Sequence, residues 1–196
     1  MIIGHIGLAF AAKRRWPRVP LGALLVASFA PDLLRVALAS TGLPLKTTNL
    51  YSHALPWCAL LAVAATALAW RTLRDRGAGL LIGAIVMSHI VLDGFSGRKP
   101  LWRDGPVGLD AGSFEVLELF IEAALLIAGW QLLRGTRAPR WATNRALPLV
   151  LIAVQVASAL GSISQRPYNT RCLAYPMRAC TEASALTRRW ETTPFW

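Results

Sequence analysis

The run Ile85-Val-Met-Ser-His-Ile-Val-Leu-Asp93 places a histidine and an aspartate four residues apart inside an otherwise apolar stretch. Residues four apart share one face of a helix, so the side chains of His89 and Asp93 can reach a common point. Ionisable groups are costly in apolar surroundings and usually mark a functional site there. The run therefore predicts a buried helix with a ligand-like pair on one face.

The chain around this run is apolar as well. Of its 196 residues 55% are hydrophobic and 16% are charged, and the mean hydropathy is +0.45. This composition predicts an all-α integral membrane bundle. The formal net charge of +11 would suit nucleic acid, but the basic residues form short clusters between apolar runs. That pattern is typical of membrane orientation, so the expected partner is a lipid bilayer and not nucleic acid.

Six apolar helical segments follow from the hydropathy pattern. The first, residues 2–12, is shorter than the roughly 20 residues that a membrane span needs, and it is interpreted as a half-helix packed against the bundle. The others predict five transmembrane helices, at residues 20–40, 53–70, 78–95, 113–133 and 146–164. Pro31 predicts a break in the first span, and Gly79 and Gly83 predict a close helix contact. The membrane domain is expected over 1–164 and an irregular tail over 165–196.

Loop charges predict the orientation of these spans. With the Lys13 cluster in the cytoplasm, the cytoplasmic loops hold eleven lysines and arginines and the two outer loops hold four. This bias follows the positive-inside rule. It places the tail on the extracytoplasmic side, where Cys172 and Cys180 are candidates for a disulfide.

The same topology brings ionisable residues from several segments to the outer level of the membrane. The candidate metal ligands are His5, Asp32, His53, His89 and Asp93. Such a set suits one divalent ion, with zinc expected and manganese or iron as alternatives. Glu118 and Glu122 are the candidate catalytic residues, as general base or as hydrogen-bond partner of a ligand, and Glu115 precedes them on the same segment.

Each of these residues also has a structural interpretation. His53 can cap a helix, His89 and Asp93 can form a hydrogen-bonded pair, and Asp32 can satisfy the backbone broken by Pro31. Glu115 and Glu118 can stabilise a helix N-terminus, where carboxylates are favoured.

Several short motifs resemble small bacterial membrane proteins described as metal-dependent hydrolases. The motifs are Gly4-His5, Asp32-Leu33-Leu34, Tyr51-Ser52-His53 and Ser88-His89 with Leu92-Asp93. The order of these residues is also similar, more distantly, to inner-membrane hydrolases that include a LexA-binding member, and to helical zinc phospholipase C enzymes. The distant relatives carry a second acid where this chain has Leu34-Arg35 and a His-Arg where it has Leu50-Tyr51. Closer relatives often have a His-Arg-Pro-Asp-like run where this chain reads Gly97-Arg98-Lys99-Pro100. Because this chain has fewer candidate ligands than those relatives, a site for one ion is expected.

The resemblance implies a multi-pass protein of the bacterial inner membrane, with a metal site that faces the extracytoplasmic side. The expected reaction is attack of metal-activated water on an ester or phosphoester of a lipid or amphipathic substrate. Two alternatives stay open: a transporter or channel for divalent cations or protons, and a non-catalytic membrane scaffold. The sequence leaves the oligomeric state open.

Overall fold

The computed structural model describes residues 2–96, 99–100, 106–107 and 115–164, and nearly all of these are helical. The helices are α1 (Ile3–Arg15), α2 (Leu21–Ser28), α3 (Ala30–Ser40), α4 (Leu45–His53), α5 (Leu55–Leu73), α6 (Arg76–Ser96), α7 (Glu115–Arg134), α8 (Arg140–Thr143) and α9 (Ala146–Ser164). Strands β1 (Lys99–Pro100) and β2 (Pro106–Val107) form a two-residue antiparallel pair. The predicted all-α class is confirmed. Residues 1–155 group into one compact unit, which contains every contact described below, and residues 156–196 into a second.

Among the described residues, two helices are long and apolar enough to cross a membrane: α5, and α6 as far as Phe95. The pair α2 and α3 passes the same test as one broken span, with a bend of 62° between its halves. Leu60, Val63, Leu80 and Val91 are exposed on α5 and α6, where lipid would cover them. The structure thus supports two or three spans, fewer than the predicted five.

Helices α7 and α9 do not pass the same test over their described residues. Helix α7 carries Glu118, Glu122 and Arg134, and charges are costly in the bilayer core. In α9, a helix of 19 residues, the side chains are described for the apolar part Ala146–Ser158. The predicted spans at these two helices therefore stay predictions.

Helices α5 and α6 form an antiparallel hairpin with a tight interface. Gly79 and Gly83 face α5, and a Cβ atom at Gly79 would lie 2.8 Å from the carbonyl oxygen of Thr66. A Cβ atom at Gly83 would overlap the Thr66 hydroxyl. The close contact predicted from these two glycines is therefore confirmed. The hairpin places the start of α5 beside the end of α6.

The predicted break at Pro31 is confirmed as the bend between α2 and α3. Proline has no backbone N–H, so Pro31 cannot continue the hydrogen-bond ladder of α2. Helix α3 restarts with Asp32 in its first turn. The break therefore brings a carboxylate to the start of a helix, beside the end of α2.

One predicted boundary is wrong. His53 was expected to open the third segment, but it is the last residue of α4, and α5 begins at Leu55. Ala54 is extended and Pro56 lies in the first turn of α5, which separates the two helices. Helices α4 and α8 were not predicted. The predicted tail with Cys172 and Cys180 lies outside the described residues.

Helix α1 has 13 residues and packs on α7 with backbone contact. A Cβ atom added at Gly7 would overlap the carbonyl group of Leu125, and one at Gly129 would overlap the carbonyl group of Gly7. Only hydrogen fits at these two positions. The short N-terminal helix is thereby held against a longer one, as expected for a half-helix.

We predict that Gly7→Ala destabilises the protein by about 1–3 kcal/mol, because the new methyl group would separate two packed backbones. Thermal unfolding of the detergent-purified protein measures the effect. Gly22→Ala is the matched control, because a Cβ atom at Gly22 meets nothing within 4 Å. Equal melting temperatures for the two variants would contradict the close packing of α1 on α7.

Candidate metal centre

The five predicted ligands meet at the end of the hairpin where α5 begins and α6 ends. His5 lies in the first turn of α1, Asp32 in the first turn of α3, His53 at the end of α4, and His89 and Asp93 near the end of α6. The three histidines and Asp93 are buried, whereas the side chain of Asp32 is 34% exposed. The cluster is therefore enclosed on most sides and open at Asp32.

Both carboxylates lie against the Nε2 atoms of several histidines. The Oδ1 and Oδ2 atoms of Asp32 are 3.3 Å from His53 Nε2 and 3.7 Å from His89 Nε2. Asp93 Oδ1 is 3.8 Å from His5 Nε2, and Asp93 Oδ2 is 3.8 Å from His53 Nε2 and 3.6 Å from His89 Nε2. Two sets of donor atoms have the spacing of a metal site, His5–His89–Asp93 and Asp32–His53–His89. They share His89, so the cluster is continuous.

The ring of His89 is oriented by the backbone at the α2–α3 break. Its Nδ1 atom lies 2.8 Å from the carbonyl oxygen of Ser28, the last residue of α2. A carbonyl oxygen only accepts, so Nδ1–H is the donor, and in the neutral ring Nε2 keeps its lone pair. The Ser28 hydroxyl donates to the carbonyl oxygen of His5 at 2.7 Å, which ties this point to α1.

The ring of His53 is oriented in the same sense by a serine. Ser52 Oγ lies 2.7 Å from the carbonyl oxygen of Thr48 and 2.6 Å from His53 Nδ1. A hydroxyl carries one proton, and the carbonyl group of Thr48 must receive it. His53 Nδ1–H therefore donates to Ser52 Oγ, and the lone pair of His53 Nε2 faces the carboxylates. The hydrogen-bond network thus assigns the same tautomer to both histidines.

In this arrangement hydrogen-bond acceptors of the histidines face hydrogen-bond acceptors of the aspartates. The lone pairs of two Nε2 atoms face carboxylate oxygens, and unpartnered polar atoms are costly when buried. Among the described residues, His89 Nε2 and both ring nitrogens of His5 have no hydrogen-bond partner. A cation between these atoms would convert repulsion into attraction. The donor set therefore fits either a metal ion or a proton.

The spacing of the donor atoms matches a metal ion. Ligands at about 2.0–2.1 Å from a tetrahedral zinc ion lie about 3.3–3.4 Å from one another. The five Nε2–oxygen distances run from 3.3 Å (His53 to Asp32) to 3.8 Å (His5 and His53 to Asp93). Within each of the two sets the donor atoms lie within 4.8 Å of one another.

His5 is poorly suited to hold a proton. Burial, reinforced by the nearby His89, lowers the pKa of His5 from 6.5 to about 4, because the interior solvates an imidazolium poorly. Helix α1 lies outside the candidate spans, and the His5 and His89 rings are 4.1 Å apart between centroids. A neutral His5 offers a lone pair to a metal ion. The ring of His5 is therefore a better ligand for a metal ion than a site for an extra proton.

The structure places Glu122 at the N-terminus of α1. Its Oε2 atom accepts hydrogen bonds from the backbone N–H groups of Ile2 at 2.8 Å, Ile3 at 2.9 Å and Gly4 at 3.3 Å. Helix α1 has no side-chain cap of its own and no acid in its first turn. A carboxylate there satisfies orphan N–H groups and the helix dipole. Glu122 thereby fixes the turn that carries His5.

The other two acids of α7 are placed less closely. Glu118 is half-buried one turn before Glu122, and the side chain of Glu115 lies outside the described part of the chain. The second oxygen of Glu122 lies 3.4 Å from Gln155 Nε2. The hydrogen bonds of Glu122 named here go to α1 and α9 and not to the five ligands. The catalytic roles of Glu118 and Glu122 stay predictions.

Ser28 and Ser52 contact the rings of His89 and His53, and neither serine was predicted as a site residue. Ser52 directly precedes His53, and this adjacency was a possible signal. The same adjacency occurs in Ser88-His89 on α6, but there it would give a wrong prediction. Ser88 donates to the carbonyl oxygen of Ile85 in its own helix. His89 is oriented instead by Ser28, which is 61 positions away in the chain. Only the folded bend reveals this contact.

No protein-family model, curated protein or solved structure matches this chain. The resemblance to metal-dependent hydrolases therefore depends on the quoted motifs, and the chemistry of the site is argued from its geometry.

We predict that Ser52→Ala weakens metal binding about 10- to 100-fold, because His53 loses the acceptor that fixes its tautomer and ring orientation. Competition with a chromogenic zinc chelator measures the affinity. Ser88→Ala removes the same atom from a serine that bonds only within α6, so it should leave the affinity unchanged. A similar loss in both variants would contradict the role given to Ser52.

Substitutions at Glu122 distinguish its structural role from a catalytic one. Glu122→Ala should lower the free energy of unfolding by about 1–3 kcal/mol or more, since buried N–H groups of α1 lose their acceptor. Glu122→Gln keeps an acceptor oxygen and should lose less. Chemical unfolding of the metal-free protein measures both changes. Equal and negligible effects would indicate that Glu122 does not anchor α1.

Proposed function

We propose that this chain is a membrane-embedded, metal-dependent hydrolase of ester or phosphoester bonds, with His5, Asp32, His53, His89 and Asp93 as the ligands of one divalent ion. The observation that supports it most is the orientation of His53 and His89. Hydrogen bonds from Nδ1 to Ser52 and Ser28 direct both Nε2 lone pairs toward two carboxylates. Metal-binding histidines are usually held by such partners.

Zinc is the proposed ion, because histidine and carboxylate ligands in a compact site suit it, although manganese and iron accept the same donors. When bound, a divalent ion would activate water as a nucleophile and polarise the bond to be cleaved. The chain's own contribution is to orient the imidazoles of His53 and His89 and to exclude bulk water from four of the five ligands. The exposed side of Asp32 is the proposed entrance for substrate.

The proposed setting is the bacterial inner membrane, with five spans and the site on the extracytoplasmic side. The site lies at the end of the α5–α6 hairpin away from the basic clusters Lys13–Arg15 and Arg71–Arg76, and basic ends favour the cytoplasm. A site at the membrane surface would suit a lipid or amphipathic substrate. Two candidate spans and an exposed apolar surface support the membrane setting.

A transport pathway is less well supported than hydrolysis. A cation or proton route needs polar groups through the whole thickness of the membrane. On the far side of the site lies a layer of buried apolar residues, formed by Ala9 of α1, Ala62 of α5, and Ile82, Ile85 and Val86 of α6. This layer would block a polar route between α1, α5 and α6.

Metal content and stability test the proposal together. Purified parent protein should contain about one equivalent of zinc, and His89→Ala/Asp93→Ala should contain none. Zinc at 100 times its dissociation constant should stabilise the parent by about 2.7 kcal/mol and leave the double variant unchanged. Ser88→Ala is the control for substitutions in α6. Elemental analysis and thermal unfolding, each with and without chelator, measure these effects.

Activity is then tested on chromogenic phosphoesters and on lipid esters, with the chelated protein before and after zinc is restored. Hydrolysis that returns with zinc in the parent and not in the double variant supports the proposal. A folded parent that takes up no metal would sink it and leave the scaffold interpretation. Metal uptake with ion flux into vesicles but no hydrolysis would favour the transport interpretation.

A further inference from the structure

A cavity of about 640 Å³ lies at the opposite end of the α5–α6 hairpin from the candidate metal centre. It opens where α1 ends, α5 ends and α6 begins. Its walls are formed by two segments of the chain, Arg15-Trp16-Pro17-Arg18-Val19 and Leu73-Arg74-Asp75-Arg76, together with Ala78. No predicted site residue lies in it, so its chemistry is separate from that of the His/Asp cluster.

The lining of this cavity is strongly cationic. Its lining includes four arginines and one carboxylate, that of Asp75. Asp75 Oδ1 already accepts hydrogen bonds from the backbone N–H groups of Gly77 at 2.8 Å and Ala78 at 3.1 Å, which caps α6. Within the described residues, Asp75 forms no ion pair with any of the arginines. The cavity therefore carries a large excess of positive charge.

The basic residues next to these arginines have structural partners. Lys13 Nζ donates to the carbonyl oxygens of Pro17 and Val19 at 2.7 and 2.8 Å, and Arg14 Nη1 donates to that of Gly135 at 2.8 Å. These bonds close the ends of α1 and α7.

The four arginines that line the cavity lack such acceptors in the described part of the chain. Arg15 and Arg76 only stack over the rings of Trp16 and Trp70, at 5.7 and 4.8 Å from the centroids. Stacking leaves the N–H groups at the edge of a guanidinium free to donate.

The position of the cavity indicates what kind of anion reaches it. Both α5 and α6 are candidate spans, and the cavity lies at their connected ends, where membrane headgroups would be. Arginine donors in a fixed fork match the oxygens of a phosphate group. Anionic lipids are attracted to basic clusters at the ends of membrane helices.

We propose that this arginine cavity binds a phosphate-bearing anion, with the headgroup of an anionic phospholipid or a soluble phosphate compound as the two sources of that chemistry. Arg18 and Arg74 are the central binding residues, because both are exposed, line the cavity and form no hydrogen bond, ion pair or ring contact with a described residue. The site does not depend on the metal centre or on hydrolysis.

Native mass spectrometry of the full-length protein in detergent tests this site with phosphatidylglycerol and phosphatidylcholine as probes. The parent should retain phosphatidylglycerol in preference to phosphatidylcholine. Arg18→Gln/Arg74→Gln should lower that preference about tenfold or more, because two charge-assisted contacts are lost. Arg137→Gln/Arg140→Gln is the matched control, with the same loss of charge at exposed arginines outside the cavity, and it should behave as the parent.

The two sources are separated by adding excess inorganic phosphate. If phosphate displaces phosphatidylglycerol from the parent, the cavity recognises phosphate itself and a soluble ligand is supported. If phosphatidylglycerol stays bound, the lipid headgroup is the ligand. A parent without preference between the lipids overturns the proposal, and so does an equal loss in the two double variants, which would indicate only bulk charge. Thermal unfolding verifies that all variants are folded.

Discussion

The structure depends on the packing of three imidazoles against two carboxylates in an apolar interior. Buried polar groups are costly when they lack partners, and a cation shared among the five groups would offset that cost. Burial opposes protonation of His5, so this ring is better suited to a metal ion than to a proton. A bound metal ion would therefore strengthen the cluster that draws α1, α3, α4 and α6 to one point.

Three devices hold the ligands in place before any ion binds. The bend at Pro31 exposes the carbonyl group of Ser28 to His89 and starts α3 with Asp32. The Ser52 hydroxyl donates a hydrogen bond to the backbone carbonyl group of Thr48 and therefore accepts one from His53 Nδ1–H. Glu122 supplies from α7 the cap that α1 lacks. Preorganisation of this kind lowers the cost of binding, because ring orientation is fixed by folding.

The sequence predicted the ligands better than it predicted their supports. All five proposed ligands come together, since period-four spacing and isolated polar residues in apolar runs are local signals. Glu122 was recognised as unusual, but its contact with α1 joins residues about 120 positions apart, which no local pattern reveals. The break between α4 and α5 was not predicted, because Ala54 is itself apolar and its extended backbone leaves no mark in the hydropathy pattern. The described residues support two or three of the five predicted spans, and α7, which is apolar on average, carries the buried Glu122.

The α5–α6 hairpin separates two polar sites by an apolar layer. Helix α6 has 21 residues and is about 30 Å long, close to the thickness of the bilayer core. One end holds the imidazoles and carboxylates proposed to bind a cation, and the other holds the guanidinium groups proposed to bind an anion. Ile82, Ile85 and Val86 lie between them on α6 and are buried. Because charge crosses such a layer only at great cost, the two ends cannot exchange ions through α6. A structural change at one end could reach the other only by movement of the helices. The close packing of α5 on α6 at Gly79 and Gly83 makes this pair the stiffest connection between the two ends.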